Sequence, residues 1–470
     1  MEQPQCPGCR ERDARIAALE TELARLAGLE ERVAELEGRL HDLTKPPLPP
    51  RPGAPLPEGP AKKATGKKPG GQAGHPPHLK QWLPPERVQR TVTYLPKECG
   101  QCQAPLPKEA GPLDPPPVRH QVAELPEVAA EITEYQAHAR TCPGCGQVTR
   151  ATIPADIRRY SVGPRLSATL AYFAGCHGVS KRGLEEISEA LFQVPIALGT
   201  IANLEQEMSA ALALAHQEAV AAVRQAPVKY VDETGWKQAG RKRWLWAAAT
   251  TRVAVFVIDV FRNVSALRKL LGSTLSGILC SDRWSAYDHV ELLQRQVCWA
   301  HLKRNWENML ERGGKAESVA TACLSVQKRV FELWHLFRGG GCSHRQLDDG
   351  MTPLSLELLE VLQRGRRCRD RKTKRFCARL LQVYPALWTF VVAAGVEPTN
   401  NHVERAQRRA VLWRRRSFGC HSAASCRFVE RILTVVQTLR LQRRSVIEFL
   451  DDAISAHRSS QQGPRLVLEG

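Results

Sequence analysis

VKYVDETGW, residues 228–236, runs from an apolar, β-like stretch into an acidic pair and a glycine. The pattern reads as a strand over 229–231 that meets a turn at Gly235, with Asp232 at its end. Two more strand-length runs follow, RWLWAAAT (243–250) and VAVFVIDV (253–260). The loops between them are short, which predicts antiparallel pairing. A helix is expected around Ser265–Leu271, then a fourth strand in GILCSD (277–282), a short last strand in QVCWA (296–300) and a helix from His301. This order makes an α+β core, with Asp232 on its first strand and Asp282 at the end of its fourth.

Glu233 follows Asp232 and points to the opposite face of a strand, so only one of the two can join a site. Further on, CSDRWSAY (280–287) holds Asp282, and TNNHVERA (399–406) opens a helical block with Glu404 near its start. Taken alone, each acid has an ordinary reading. Asp232 and Asp282 are strand-end carboxylates of the kind that cap turns. Asn401 and Glu404 stand three apart, as in a capping box. Taken together, Asp232, Asp282 and Glu404 are candidate ligands for Mg²⁺ or Mn²⁺, which take hard oxygen donors. Two such ions can activate a water and hold a phosphodiester for in-line attack, with Asp232 bridging them. The sequence shows no Ser/His/Asp arrangement and no dinucleotide fingerprint, and GGQAGH (70–75) lacks the strand-to-helix setting of a phosphate loop.

The balance of charge points to a polyanionic partner. Of 470 residues, 67 are Lys or Arg and 48 Asp or Glu, a formal charge of +19. Nucleic acid is the first candidate and an anionic membrane surface the second. Apolar runs are strand-length, too short to span a bilayer. MEQPQCPGCRERDARI at the N-terminus has no signal-peptide core, so a cytoplasmic, nucleoid-associated protein is expected. In a reducing compartment most of the fifteen cysteines should be free thiols, and CxxC pairs are the exception because they suit zinc.

Residues 11–43 carry an apolar seam from Ile16 through Leu23, Val33 and Leu40 to Leu43, stepping by threes and fours. It reads as a coiled coil that makes a homo-oligomer, or as one amphipathic helix lying on the protein. Residues 44–87 form a Pro/Gly/Lys-rich linker that cannot bury enough apolar surface to fold alone. Residues 88–155 hold Cys99 with Cys102 and Cys142 with Cys145, two knuckles suited to a closed Cys₄ structural Zn²⁺ site. EVAAEITEYQAHA (127–139), between them, reads as one strand or two. Cys6 and Cys9 form a third pair without a mate. Residues 160–226 read as helices broken near Val194-Pro195, either a DNA-binding helix-turn-helix or an ordinary helical hairpin. The core's first part spans 227–306, a helical insertion 307–395, the C-terminal helices with Glu404 396–456, and a tail 457–470.

Basic residues crowd between Arg364 and Arg379, and again after Glu404 at Arg405, Arg408, Arg409 and Arg414–Arg416. Such a surface suits phosphate backbones and predicts salt-dependent binding. Trp284, Trp299, Trp306 and Trp413 lie near charged groups and could stack on a displaced base or pack in the core.

In combination and order, the leucine-rich helix, GKKPGGQAGH (66–75), the paired CxxC motifs, VDETGW, CSDRWSAY, CWAHLKRNW (298–306) and TNNHVERAQRR (399–409) resemble DDE transposases of the insertion sequence 66 family. The resemblance covers most of the chain. It implies an RNase H-like catalytic core with a helical insertion before the helix that bears the glutamate. It carries the family's acid triad onto Asp232, Asp282 and Glu404. Cys298 and His301 resemble a Cys-x-x-His pair that follows the last core strand in such enzymes, where they would shape the core near the active site. RRAVLWRRRSFG (408–419) is richer in Arg than the resemblance leads one to expect. The implied activity is metal-dependent DNA cleavage and strand transfer at terminal inverted repeats, with transposon ends and target DNA as partners beside accessory transposition proteins. The alternatives are a nuclease on the same fold and a non-catalytic DNA-binding relic.

Overall fold

The computed structural model describes residues 82–468 apart from 110 and 113. The expected coiled coil at 11–43, Cys6, Cys9 and most of the linker lie outside the described residues. The chain divides into two compact units, 1–123 and 124–470. The described part of the first has a single 3₁₀ turn, Pro85–Arg87, and the loop that holds Cys99 and Cys102.

The second unit opens with a small antiparallel hairpin, β1 (Ala139–Thr141) and β2 (Val148–Arg150). Of the stretch 127–139 only Ala139 is in a strand. The rest alternates like a strand but has no ladder partner, and Val128, Ile132 and Tyr135 are exposed. Five helices follow: α1 (Ala155–Arg158), α2 (Pro164–His177), α3 (Lys181–Phe192), α4 (Leu198–Ala211) and α5 (Ala213–Gln225). The break between α3 and α4 falls where the sequence places it. Gln193 closes α3 in the left-handed region, and Pro195 cannot continue a helix.

The central sheet then forms from β3 (Val228–Gln238), β4 (Arg241–Ala249), β5 (Ala254–Asp259), β6 (Ile278–Ser281) and β7 (Arg295–Val297). Its order is β5-β4-β3-β6-β7; β3, β4 and β5 run antiparallel to one another in turn, and β6 and β7 run parallel to β3. β3 is longer than the sequence pattern indicates. It does not turn at Gly235, which pairs with Trp244 inside the ladder. The turn lies at Ala239-Gly240, where φ is 48° and 76°, the two left-handed residues of a tight hairpin. Asp232 is therefore a mid-strand residue opposite Ala247, not a turn cap.

Helix α6 (Val264–Leu271) crosses from β5 to β6. After β7, α7 (Trp299–Arg312) starts two residues before His301, with Cys298 as its N-cap. The region between core strand and last helices is helical, as expected: α8 (Glu317–Arg338), α9 (His344–Arg366), α10 (Arg371–Gln382) and the short α11 (Thr389–Val392). Helices α12 (Asn401–Ser417), α13 (Ala423–Leu441) and α14 (Val446–Arg458) complete the chain. The tail does not hang free, because Leu466 is buried and Arg444 and Glu218 hold its backbone.

Side chains alternate across the sheet with the period of two that strands impose. Tyr230, Leu245, Ala247, Phe256, Cys280 and Val297 bury on one face with the insertion and α12. Val231, Trp246, Ala248, Val255 and Leu279 bury on the other with α2, α4, α5 and α6. The β5 edge is closed by a helix. Glu430, Thr434 and Thr438, one turn apart on α13, accept from the backbone N–H groups of Ile258, Phe256 and Ala254, so the edge offers no template for a further strand. Among the described residues, no helix is long and apolar enough to cross a membrane.

Candidate active site

The parallel pairing of β3 with β6 matches Val228 with Ile278, Lys229 with Leu279 and Tyr230 with Cys280, and then stops. Asp232 and Asp282 each stand two residues past that last pair. They are equivalent in register and share the face of Tyr230 and Cys280. Paired strands lie about 4.8 Å apart, so two carboxylates enter one crevice beyond the carboxyl end of β6, the usual place for a site in such sheets.

Past Tyr230, the β3 carbonyls that face β6, Val231 O first, have lost that partner, while Asp232 O faces β4; residues at the start of α12 and along it reach both. Asn400 Nδ2 donates to Val231 O at 2.7 Å and Gln407 Nε2 to Asp232 O at 2.9 Å. Arg414 continues the row to Thr234 Oγ1 and Gly235 O. Asn400 is fully buried and also donates its backbone N–H to Cys298 Sγ at 3.1 Å. This brings Glu404, in the first turn of α12, close enough for its charge to act on Asp232. The capping box of the ordinary reading is absent. Asn400, not Asn401, is the N-cap, and its side chain caps nothing.

The electrostatics report the convergence. Burial, then Glu233, Asp282 and Glu404, push the Asp232 carboxyl up to about 8. Clustered carboxylates of this kind repel until a cation or a proton separates them. Asp282 Oδ1 accepts from Trp284 N at 2.8 Å, which fixes the turn after β6. Among the described residues, the group whose ligand atoms all lie within 4.8 Å of one another is Cys298, His301 and Glu404; Asp232 and Asp282 stand outside it. His301 Nδ1 is 3.6 Å from Glu404 Oε1, and Arg304 Nη2 is 3.8 Å from the same oxygen. Burial, then Arg304, hold the imidazole below its ordinary value, so it is neutral at pH 7. Burial also pushes the Cys298 thiol up to about 11.

Glu233 faces the other way, as strand geometry requires. Tyr287 Oη donates to it at 2.6 Å and Arg262 Nε at 2.7 Å. Arg262 in turn stacks 3.9 Å over the Trp284 ring, which is 37% exposed. Of the four tryptophans, Trp299 and Trp306 are core residues with no exposure, so they cannot meet a base; Trp413 is half-buried.

The cations fall into two groups. Most of those from Arg364 to Arg379 are exposed along the end of α9 and α10. Clefts of about 340 and 500 Å³ open beside them, lined by Lys315, Arg364 and Arg369 and by Arg312, Lys315 and Arg369. On α12, by contrast, three arginines are turned to the protein itself: Arg409 donates to Cys176 O, Arg416 to His177 O and Arg414 to β3.

The two cysteine knuckles are locally alike. Cys99 N donates to Ala104 O and Gln103 N to Cys99 O, and Cys142 N donates to Gln147 O and Gly146 N to Cys142 O. Gln103 and Gly146 both take positive φ. In each, backbone N–H groups inside the turn, from Cys102 and from Cys145 first, hold the leading thiol below its ordinary range, toward the thiolate a metal needs. Cys99 and Cys102 belong to the first compact unit and Cys142 and Cys145 to the second.

Asn400, Gln407 and Arg262 have no signature in the sequence that marks them for the site. The doubled Asn in TNN is the one signal, and its spacing from Glu404 reads as capping instead.

Two comparisons bear on identity. Over 254 residues the chain is 24% identical to "Uncharacterized protein y4qI" of Sinorhizobium fredii (strain NBRC 101917 / NGR234), covering 48% of this chain and 46% of that relative. The chain thus spans about half the length of the curated relative it matches. The family model described as "Transposase IS66 family" matches residues 159–427, more than half of the chain, and takes in Asp232, Asp282 and Glu404. On that match, the chain belongs to the IS66 family of transposases.

Proposed function

We propose that this transposase cuts the ends of its element and joins them to target DNA at a carboxylate centre made by Asp232, Asp282 and Glu404. The observation that carries the reading is the register equivalence of Asp232 and Asp282 at the point where β3 and β6 part, with α12 bringing Glu404 close enough for its charge to act on Asp232. A strand order of β5-β4-β3-β6-β7 with one antiparallel half supports an RNase H-like core. The donor set fits Mg²⁺ or Mn²⁺, since all three side chains offer hard oxygens and the Asp232 carboxylate is destabilised without a cation. Divalent ions held there would supply Lewis-acid activation of a water and of the phosphodiester.

The chain's own residues hold and orient. Asn400 and Gln407 fix the distance between α12 and β3, the Asp282 turn aims its carboxylate, and Arg304 stands where a phosphate oxygen would arrive. The exposed cations of α9 and α10 would track the DNA backbone. Arg262 and the partly exposed Trp284 offer a stacked surface for a base. The knuckle cysteines Cys99, Cys102, Cys142 and Cys145 would be ligands for structural Zn²⁺. Residues 11–43 would assemble the oligomer that pairs two ends, in the cytoplasm where the chromosome is. The helices at 160–226 would bind ends or mediate assembly, and accessory transposition proteins would act with them.

The test is a cleavage and strand-transfer assay of the purified protein on DNA carrying the element's ends, with Mg²⁺ or Mn²⁺, beside Asp282→Ala. Nicking and joining that vanish in the variant are expected. Cutting without joining would replace this reading with a nuclease, and tight binding without cutting, even with cell extract added, would replace it with a DNA-binding relic.

A further inference from the structure

We propose that Cys298, His301 and Glu404 form a second, softer metal site that takes Zn²⁺ and shares Glu404 with the carboxylate centre. The three donors come from two helix starts. Cys298 is the N-cap of α7 and His301 lies in its first turn, so both project from one end of that helix; Glu404 lies in the first turn of α12. Asn400 joins the two ends, its backbone N–H on the Cys298 sulfur and its carbonyl accepting from Glu404 N.

The spacing is that of a tetrahedral ion. Zn²⁺ bonds of about 2.0–2.3 Å put neighbouring ligands roughly 3.4–3.6 Å apart. His301 Nδ1 and Glu404 Oε1 are 3.6 Å apart, and all three ligand atoms lie within 4.8 Å of one another. His301 Nδ1 and Glu404 Oε1 are also buried polar atoms without a hydrogen-bond partner. A buried imidazole nitrogen and a buried carboxylate oxygen that face each other without a hydrogen bond are unfavourable unless a cation or proton is shared between them.

The donor chemistry selects the ion. A thiolate, an imidazole and one carboxylate make the set of a zinc site that keeps its fourth position open, whereas Mg²⁺ avoids sulfur. The buried thiol must lose its proton to solvent as the metal enters. Arg304, whose guanidinium lies 3.8 Å from Glu404 Oε1, has a side chain 59% exposed and can swing to solvent. An ion bound here holds Glu404 Oε1 away from Asp232 and Asp282. That consequence for catalysis rests on the reading of Glu404 given above; the binding does not.

The test counts metal on the full chain without DNA, using Co²⁺ as the probe and Zn²⁺ to displace it. Wild type is expected to bind one more tight equivalent than His301→Ala or Cys298→Ser. The lost equivalent should carry a thiolate-to-cobalt band with d–d bands at shorter wavelength than an all-sulfur knuckle. His301 has a side chain 27% exposed, so its variant keeps the test open if Cys298→Ser fails to fold. Equal counts and identical cobalt spectra in wild type and His301→Ala would overturn the proposal. So would loss of the same equivalent in Asp232→Asn, which would place the ion in the carboxylate centre. A protein that shows the extra equivalent but never cuts DNA would retain this site and lose the catalytic reading instead.

Discussion

Gln407 Nε2 donates to the main-chain carbonyl of Asp232 at 2.9 Å, tying the helix that carries Glu404 to the strand that carries Asp232. Two turns earlier on the same side, Asn400 does the same for Val231. Val231 O needs its bond because β6 leaves β3 after Tyr230, whereas Asp232 O also lies opposite Ala247 in the ladder with β4. The parting of the strands that follows Tyr230 and Cys280 also strips Val231 O of its partner, so one feature creates both the candidate site and the need for Asn400 to seal it.

Gln407→Leu keeps the bulk and deletes the donor. Asp232 O keeps its place in the ladder opposite Ala247, so the loss is that of one hydrogen bond, about 0.5–1.5 kcal/mol, and α12 loses a tie to β3. A lower urea midpoint is expected, together with nicking reduced more than DNA binding. Unchanged nicking rates in the variant would show that the clamp is structural alone.

Asp232 sets a trade between stability and function. Its carboxyl titrates near 8 in the fold, against 3.8 for an ordinary aspartate. The folded chain therefore binds a proton that the unfolded chain releases, and this group's contribution is full below about pH 4 and falls as pH rises to 8. Asp232→Asn should raise the urea midpoint at pH 8, change little near pH 4, and abolish nicking. Mg²⁺ at a hundred times its Kd should stabilise wild type by about 2.7 kcal/mol at pH 8 and the variant by far less. Equal stabilisation of both would remove Asp232 from the metal centre.

Much of this arrangement is legible in the chain. Three apolar runs with short loops, a helix, and two further strands give the sheet its order, because period-two burial leaves its mark on residue choice. The alternation also separates Asp232 from Glu233 correctly. Gly235 misleads, since glycine is the common turn residue, while the turn itself uses Ala239-Gly240 a few residues on. The stretch 127–139 misleads in the opposite way: it alternates, but a strand exists only with a partner. Asn400 and Gln407 could not be read at all. Their role depends on strand carbonyls far away in sequence, one of them exposed by the parting of β3 and β6, and no local pattern records that.

Glu233 and Asp232 are neighbours with different duties, and Tyr287 distinguishes them. Tyr287→Phe removes the 2.6 Å bond to Glu233 inside a fully buried environment. Hydrogen bonds to charged groups are worth about 1.5–3 kcal/mol, so the variant should unfold at lower urea. Nicking by the folded fraction should stay within a few-fold of wild type. A collapse of nicking at full foldedness, checked by circular dichroism, would move Glu233 into the catalytic group.

The cations of α10 make a prediction about DNA that is independent of chemistry at the acids. Lys372 and Arg375 sit on the outer side of that amphipathic helix, away from the buried Thr373, Cys377 and Leu380. Their charges are therefore available to an outside partner. If each neutralises one phosphate, Lys372→Ala/Arg375→Ala should flatten the dependence of log affinity on log salt by about 0.9 for each phosphate given up. The weakening should be alike for end-bearing and unrelated duplexes, because the phosphate backbone carries no sequence. Arg409→Ala, whose guanidinium is held by Cys176 O, should leave that slope unchanged and lower stability instead. Fluorescence anisotropy across a salt series separates the two, and an unchanged slope in the double variant would move the DNA path away from α10.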